Sequence, residues 1–200
     1  MSRLLQIHSS IFEHEGQSSR LAREYVQRWR AAHPDGEIRL RDLAADPLPH
    51  LDAKRFAAFL AGPGDRDSQQ QAIVAESDAL IDELRWADEI VIGLPMYNLG
   101  VPSQLKAWFD HIARAGTTFR YTPDGPQGLL EDKPVRLFAS RGGQYVGTAH
   151  DSQTQHVKDF LGLLGFTQLH FVYAEQLAMG ESEQTAALAQ AHAEIQRLVA

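Results

Sequence analysis

The sequence predicts an α/β fold of one domain over residues 1–200: a five-stranded parallel sheet in the order 2-1-3-4-5 with helices on both faces, a three-layer sandwich. Three observations point to it. Short apolar runs alternate with amphipathic helical stretches along the whole chain, and each parallel pair of strands needs a crossover, which returns right-handed. The run Glu89 to Pro95 (EIVIGLP) is mainly apolar, as in a strand covered on both faces. The length of 200 residues suits a single well-buried core.

Arg3 to His8 (RLLQIH) reads as the first strand, and the polar, glycine-containing stretch to Gln17 as its loop. From Ser18 to about Ala32 the residues Leu21, Tyr25, Val26 and Trp29 recur at helical spacing, until Pro34-Asp35-Gly36 turns the chain. Glu37 to Arg41 alternates as a second strand. Asp42 to Gly64 carries Pro47, Pro49 and Pro63 and reads as a surface excursion with one short helix near Asp52 to Leu60. Ser68 to Trp86 is a long amphipathic helix leading into the third strand, Glu89 to Pro95. Pro102 suits a first helical turn, with Leu105, Trp108, Phe109 and Ile112 on one face until Gly116 ends the helix. Pro134 to Ala139 is a fourth strand, Gln153 to Leu164 a helix, Gln168 to Ala174 a fifth strand, and Ser182 to Val199 the closing helix.

Composition removes several function classes. The chain has no cysteine, which excludes a disulfide, a thiolate nucleophile and an ordinary iron–sulfur cluster. A net charge of -7 argues against nucleic acid as a partner. The nine histidines form no HExxH or HxH pair, so no metal is expected. No apolar stretch approaches the length of a membrane span, and Met1 to Ser10 lacks a signal-peptide pattern, so a cytoplasmic protein without a membrane partner is expected.

In a doubly wound sheet the ligand sits beyond the carboxyl ends of the strands where the winding reverses, so the segments after strands one, three and four matter most. After strand one come Ser9, Ser10, Gly16, Gln17, Ser18 and Ser19, running into a helix N-terminus that favours an anion. Ser18 read alone is equally a helix cap. No Walker loop and no GxGxxG fingerprint is present, which leaves a mononucleotide as the phosphate-bearing ligand. After strand three, Pro95-Met96-Tyr97-Asn98 and then Leu99 offer an apolar, aromatic and amide wall for a flat ring. After strand four, Ser140-Arg141-Gly142-Gly143, followed by Gln144 and Tyr145, lets backbone pass close to such a ring and present N–H groups to its polar edge. No GxSxG elbow supports hydrolysis.

Taken together these residues resemble one family, the FMN-dependent NADH-azoreductases, also described as FMN-dependent NADH:quinone oxidoreductases. The likeness runs through HSS (His8 to Ser10), QS (Gln17 and Ser18), RDLAADPLP (Arg41 to Pro49), PMYN (Pro95 to Asn98), ARAGTTFRYT (Ala113 to Thr122), GPQGL (Gly125 to Leu129) and SRGG (Ser140 to Gly143). The resemblance implies a flavodoxin-like fold and bound FMN. Ser10 and Gly16 to Ser18 would hold the phosphate, Met96 to Leu99 would contact the flavin, and Ser140 to Gly143 would line its polar edge. It further implies NADH or NADPH as donor, quinones and azo compounds as acceptors in a ping-pong cycle, Tyr121 and Tyr145 as substrate residues, and a homodimer with sites near the interface. No side chain is expected to act as nucleophile. Two positions depart from the family pattern: Gly16 stands where a serine is expected, and Leu99 where an aromatic is expected. A flavodoxin-like one-electron carrier and, behind it, a thioester hydrolase are the alternatives on the same fold.

Overall fold

A computed structural model describes residues 2–199. In chain order the elements are β1 (Arg3–His8), α1 (Gln17–Ala32), β2 (Glu37–Asp42), α2 (Ala53–Leu60), α3 (Ser68–Trp86), β3 (Glu89–Pro95), α4 (Ser103–Ile112), β4 (Phe119–Thr122), β5 (Gly125–Gly128), β6 (Val135–Ser140), α5 (Ser152–Leu164), β7 (Leu169–Ala174) and α6 (Glu181–Leu198). Five of the strands form one sheet in the order β2-β1-β3-β6-β7, and every pair in it is parallel.

Side chains alternate between the two faces of each strand, and both faces are covered. Leu5 and Ile7 of β1 and Ile90, Ile92 and Leu94 of β3 pack toward Leu80, Ile81 and Leu84 of α3 and Trp108 and Phe109 of α4. Leu4, Val91, Phe138 and Val172 point the other way, onto Leu21, Tyr25 and Trp29 of α1 and Ala191 and Ile195 of α6. This is why β3 is apolar at nearly every position. The paired register aligns Pro95 with Ser140 and Ser140 with Ala174, so β3, β6 and β7 finish level with one another and their following loops emerge together.

Several boundaries differ from the expectation. Strands β4 and β5 form an antiparallel hairpin apart from the main sheet where only connecting chain was expected. Its strands, FRYT and GPQG, are four residues each, and two glycines and a proline in the second conceal it. The glycine at 128 is required by packing: a Cβ there would fall 2.2 Å from the backbone nitrogen of Gly165, the left-handed residue that caps α5. Helix α4 starts after Pro102, which is its N-cap rather than part of its first turn, and it stops at Ile112 rather than at Gly116. The Thr118 hydroxyl donates to the Ile112 carbonyl at 2.7 Å and takes the place of a further helical turn. Ser18 is not the cap of α1; Gly16 occupies that position.

Candidate functional site

The loops after β1, β3 and β6 border an open cavity of about 190 Å³. Its wall includes Ser10, Gly16, Gln17, Pro95, Met96, Tyr97, Ser140, Arg141 and Gly142, all singled out from sequence, together with Phe12 and Leu177, which were not. Ser18, Asn98, Leu99, Gly143, Tyr121 and Tyr145 do not line it. A larger cleft of about 560 Å³ between β7 and α6 has Glu175 and Glu183 in its wall. That acidic character suits an anion poorly, and the switch-point cavity is the better candidate.

The first wall is built from β1 and α1. The first intrahelical bond of α1 runs from the Arg20 N–H to the Gly16 carbonyl, so the N–H groups of Gln17, Ser18 and Ser19 precede it, and no side chain caps this end. The hydroxyls of Ser18 and Ser19 are buried without a partner. Helix α1 approaches β3 closely at Gly93, where a Cβ would stand 3.4 Å from the Ser18 carbonyl oxygen, and Ser9 donates to the Gly93 carbonyl at 2.7 Å. Ser10 accepts from the Phe12 N–H at 3.2 Å and shares a hydrogen bond with the Tyr97 hydroxyl at 3.1 Å. In this chain the Ser10 side chain packs against the bare Gly16: a Cβ there would lie 2.1 Å from Ser10 Oγ and 2.7 Å from its Cβ.

The second wall follows β3. The Met96 N–H bonds the Ser140 carbonyl, and Tyr97 and Gly100 exchange backbone hydrogen bonds at 3.2 and 3.0 Å. Between them Asn98 (φ 49°) and Leu99 (φ 65°) are both left-handed, the pattern of a type I′ turn. Asparagine tolerates that conformation; leucine does not do so readily. Leu99 is therefore held on a strained backbone with its side chain about half exposed.

The third wall follows β6. Arg141, singled out as a site residue, is fully buried, and its guanidinium is committed to the fold. It pairs with Asp151 at 3.1 Å and Glu175 at 3.2 Å, donates to Thr154 at 2.8 Å, and lies over the Tyr173 ring. Burial pushes the Asp151 carboxyl up, but the Thr154 N–H and hydroxyl and the Arg141 charge outweigh it and hold the group below its ordinary range. Glu175 also accepts from the N–H groups of Tyr145 and Val146, and Gly142 and Gly143 bond through their carbonyls to Ala178 and Gln176. Arg141 thus shapes the glycine loop from behind. Tyr145 packs its ring against Gly143, where a Cβ would sit 3.0 Å from it. Tyr121, on the β4–β5 hairpin, is 77% exposed.

Sequence reasoning passed over the braces. Asp151, Gln153 and Thr154 sit at the start of α5, where Asp151 is the N-cap and accepts from the Thr154 N–H. Only the structure shows that Gln153, fully buried, reaches back to the loop after β3. Among the described residues no group of three or more histidine or acidic side chains converges as a metal site, and no helix is long and apolar enough to cross a membrane.

A family model for the flavodoxin-like fold matches residues 2–199, and the chain belongs to that family. A protein of Alcanivorax borkumensis named FMN-dependent NADH:quinone oxidoreductase is 53% identical over 96% of this chain and 97% of its own length. A protein of the same name from Cellvibrio japonicus is 50% identical over 100% of both chains. The crystal structure of an azoreductase from Bacillus anthracis superposes with a TM-score of 0.90 at 26% identity, covering 100% of this chain and 99% of that one.

Proposed function

We propose that the chain is an FMN-dependent NADH:quinone oxidoreductase that also reduces aromatic azo compounds. The observation that carries the reading is the cavity at the reversal of the sheet, where an uncapped α1 N-terminus, the Met96–Tyr97 wall and the glycine loop meet. Two relatives of about half-identical sequence and near-complete overlap carry that activity in their names.

The residues present fit FMN. Three N–H groups at the start of a 16-residue helix that no side chain caps suit a dianionic phosphate, and the unpartnered hydroxyls of Ser18 and Ser19 lie in the same first turn, buried and outside the cavity wall. Ser10, Gly16, Gln17 and Ser18 would hold that phosphate. Pro95, Met96, Tyr97, Asn98 and Leu99 would support the ring, and Ser140 to Gly143 would bound its polar edge. When bound, FMN supplies reversible two-electron chemistry. The protein would contribute orientation and electrostatics: N–H groups of the glycine loop would stabilise negative charge on that edge, and Met96 and Tyr97 would keep water from one side. In this reading no side chain acts as a nucleophile. Donor and acceptor enter the same open face in turn, the donor leaving first, which gives ping-pong kinetics.

Tyr145, stacked against Gly143, and the exposed Tyr121 would hold a flat substrate. Tyr121 is outside the cavity wall of its own chain, so it is assigned to the site of a second copy in a homodimer, a role supported by the exposed Ile11, Phe12 and Leu99 near the cavity. The cytoplasm, where NADH is available, is the assigned compartment. The test is spectroscopic. Protein loaded with FMN should lose its visible flavin absorption on anaerobic addition of NADH and regain it with benzoquinone; failure to bind FMN, or no bleaching by NADH, would refute the reading.

A further inference from the structure

Gln153 makes no contact with the cavity wall's interior face, yet it is the residue on which the strained turn after β3 rests. It is fully buried. Its Nε2 donates to the Pro95 carbonyl at 2.9 Å and to the Gly100 carbonyl at 3.1 Å, so one amide group bridges the two stems of the turn that contains Asn98 and Leu99. Its orientation is chemically determined, because the opposite amide placement would set Oε1 against two carbonyl oxygens. Oε1 itself is buried without a partner. The neighbouring Ser152 donates to the Leu99 carbonyl, adding a third bond to the same loop. These donors stand on a firm base, since Val157, Leu161 and Leu164 of α5 are buried in the core.

The same helical turn also holds the opposite wall. Asp151 and Thr154 bind the Arg141 guanidinium, and Arg141 shapes the glycine loop after β6. The first turn of α5 therefore ties together the two loops assigned to the flavin ring and its polar edge, and sets their spacing. Two consecutive left-handed residues, one of them leucine, persist only where the surroundings over-determine them, and Gln153 and Ser152 are the side chains that do so from outside the turn.

We infer that Gln153 is a positioning residue of the flavin site, holding the Met96–Gly100 loop in its strained form and in register with the Ser140–Gly143 loop. This rests on the proposed FMN site. The consequence is quantitative, because small misplacements of a preorganised site cost far more in binding and turnover than they do in folding.

The test is Gln153→Met, which keeps length and apolar bulk and removes both donors. Three quantities are read on the full chain: hydrogen exchange of the 96–100 backbone in the apoprotein, the FMN dissociation constant from flavin fluorescence, and the melting temperature. The inference expects faster exchange at Tyr97 and Gly100 and an FMN dissociation constant raised about tenfold. A melting temperature lowered with unchanged FMN affinity would mark Gln153 as merely structural and overturn it, as would exchange and affinity both within twofold of wild type. If Gln153→Met does not fold, Ser152→Ala removes a single bond to Leu99 from the exposed side. It should shift exchange and affinity in the same direction by a smaller factor, and no shift in either would overturn the inference. Wild-type protein that binds no FMN would instead sink the proposed function, which keeps the two failures separate.

Discussion

Ser10 Oγ and the phenol oxygen of Tyr97 lie 3.1 Å apart, so the loop after β1 and the loop after β3 are joined before any ligand enters. Ser10 accepts a second bond from the Phe12 N–H, which leaves its one proton for either Tyr97 or an anion. Ser10→Ala should therefore weaken FMN binding roughly tenfold or more, the loss expected of a hydrogen bond to a charged group. Tyr97→Phe removes only the neutral partner and should change affinity by no more than about threefold. Fluorescence titration of both variants checks this; equal losses would show that Ser10 acts through Tyr97 and not on the phosphate.

Gly16 is held at that position by Ser10 rather than by its own backbone. Its φ of -62° and ψ of 142° are open to any residue, but a Cβ would fall 2.7 Å from Ser10 Cβ, a clash that rotating the Ser10 hydroxyl does not relieve. Gly16→Ala should cost about 1–3 kcal/mol of stability. Combining it with Ser10→Gly should recover much of that loss, since residues in contact couple strongly. Urea unfolding of the two single variants and the double variant measures the coupling; simple additivity would show that the steric conflict is absorbed elsewhere.

How far the sequence discloses this molecule follows from where each signal is stored. The parallel core is legible because burial on both faces leaves an apolar run such as Glu89 to Pro95, and Ser68–Trp86 is bounded by a capping box between Asp67 and Gln70. The three loops of the cavity are legible as residue types at strand ends. The β4–β5 hairpin is not, since GPQG has turn composition and pairs only through tertiary packing against the end of α5. The roles of Gln153 and Arg141 are hidden for another reason. Their partners are 58 residues away in the case of Pro95 and 34 in the case of Glu175, and no local pattern records a contact of that range.

Arg141 shows what such a contact is worth. Arg141→Met would strip two carboxylates, Asp151 and Glu175, of the charge that both face in a nearly water-free setting. Breaking one side of a buried ion pair costs about 3–5 kcal/mol, or a fall in melting temperature of roughly 6–20 °C for a chain of this size. Because Glu175 also holds the Tyr145 and Val146 N–H groups, the glycine loop should loosen as well. Calorimetry gives the first quantity; a change in melting temperature under about 3 °C would contradict the assignment.

Acid should act through His8. The ring is buried at the end of β1, and burial, opposed by Asp42 and reinforced by Arg23 and His14, lowers its proton affinity below the ordinary pKa of 6.5. Gln6 lies 2.7 Å from Nε2; with the amide donating there, the neutral ring keeps its proton on Nδ1, 3.9 Å from Asp42. The unfolded chain binds this proton first as pH falls, so the native state is favoured above about 6.5 and loses stability as pH drops from there toward the lower folded value. Asp151, whose folded pKa is also lowered, adds a second loss at more acidic pH. His8→Gln should flatten the first part of that decline, just below pH 6.5. Melting curves across that range decide it, and an unchanged slope would assign the acid sensitivity to other groups.

Leu99 offers a gain rather than a loss. Its φ of 65° places a bulky side chain in a region that costs an ordinary residue about 1–2 kcal/mol, and half of that side chain faces solvent, so little packing offsets the strain. Asparagine accepts the same backbone angles and brings none of glycine's extra freedom in the unfolded chain. Leu99→Asn should therefore stabilise the apoprotein by about 0.5–1 kcal/mol, while the Ser152 bond to the residue 99 carbonyl is untouched because it uses backbone. The side chain itself belongs to the wall proposed for acceptors, so KM for a bulky quinone should rise even as the protein becomes more stable. A variant that melts at or below the wild-type temperature would mean that Leu99 earns its strained place through packing, and the turn would then have to be explained by contacts in a second copy of the chain.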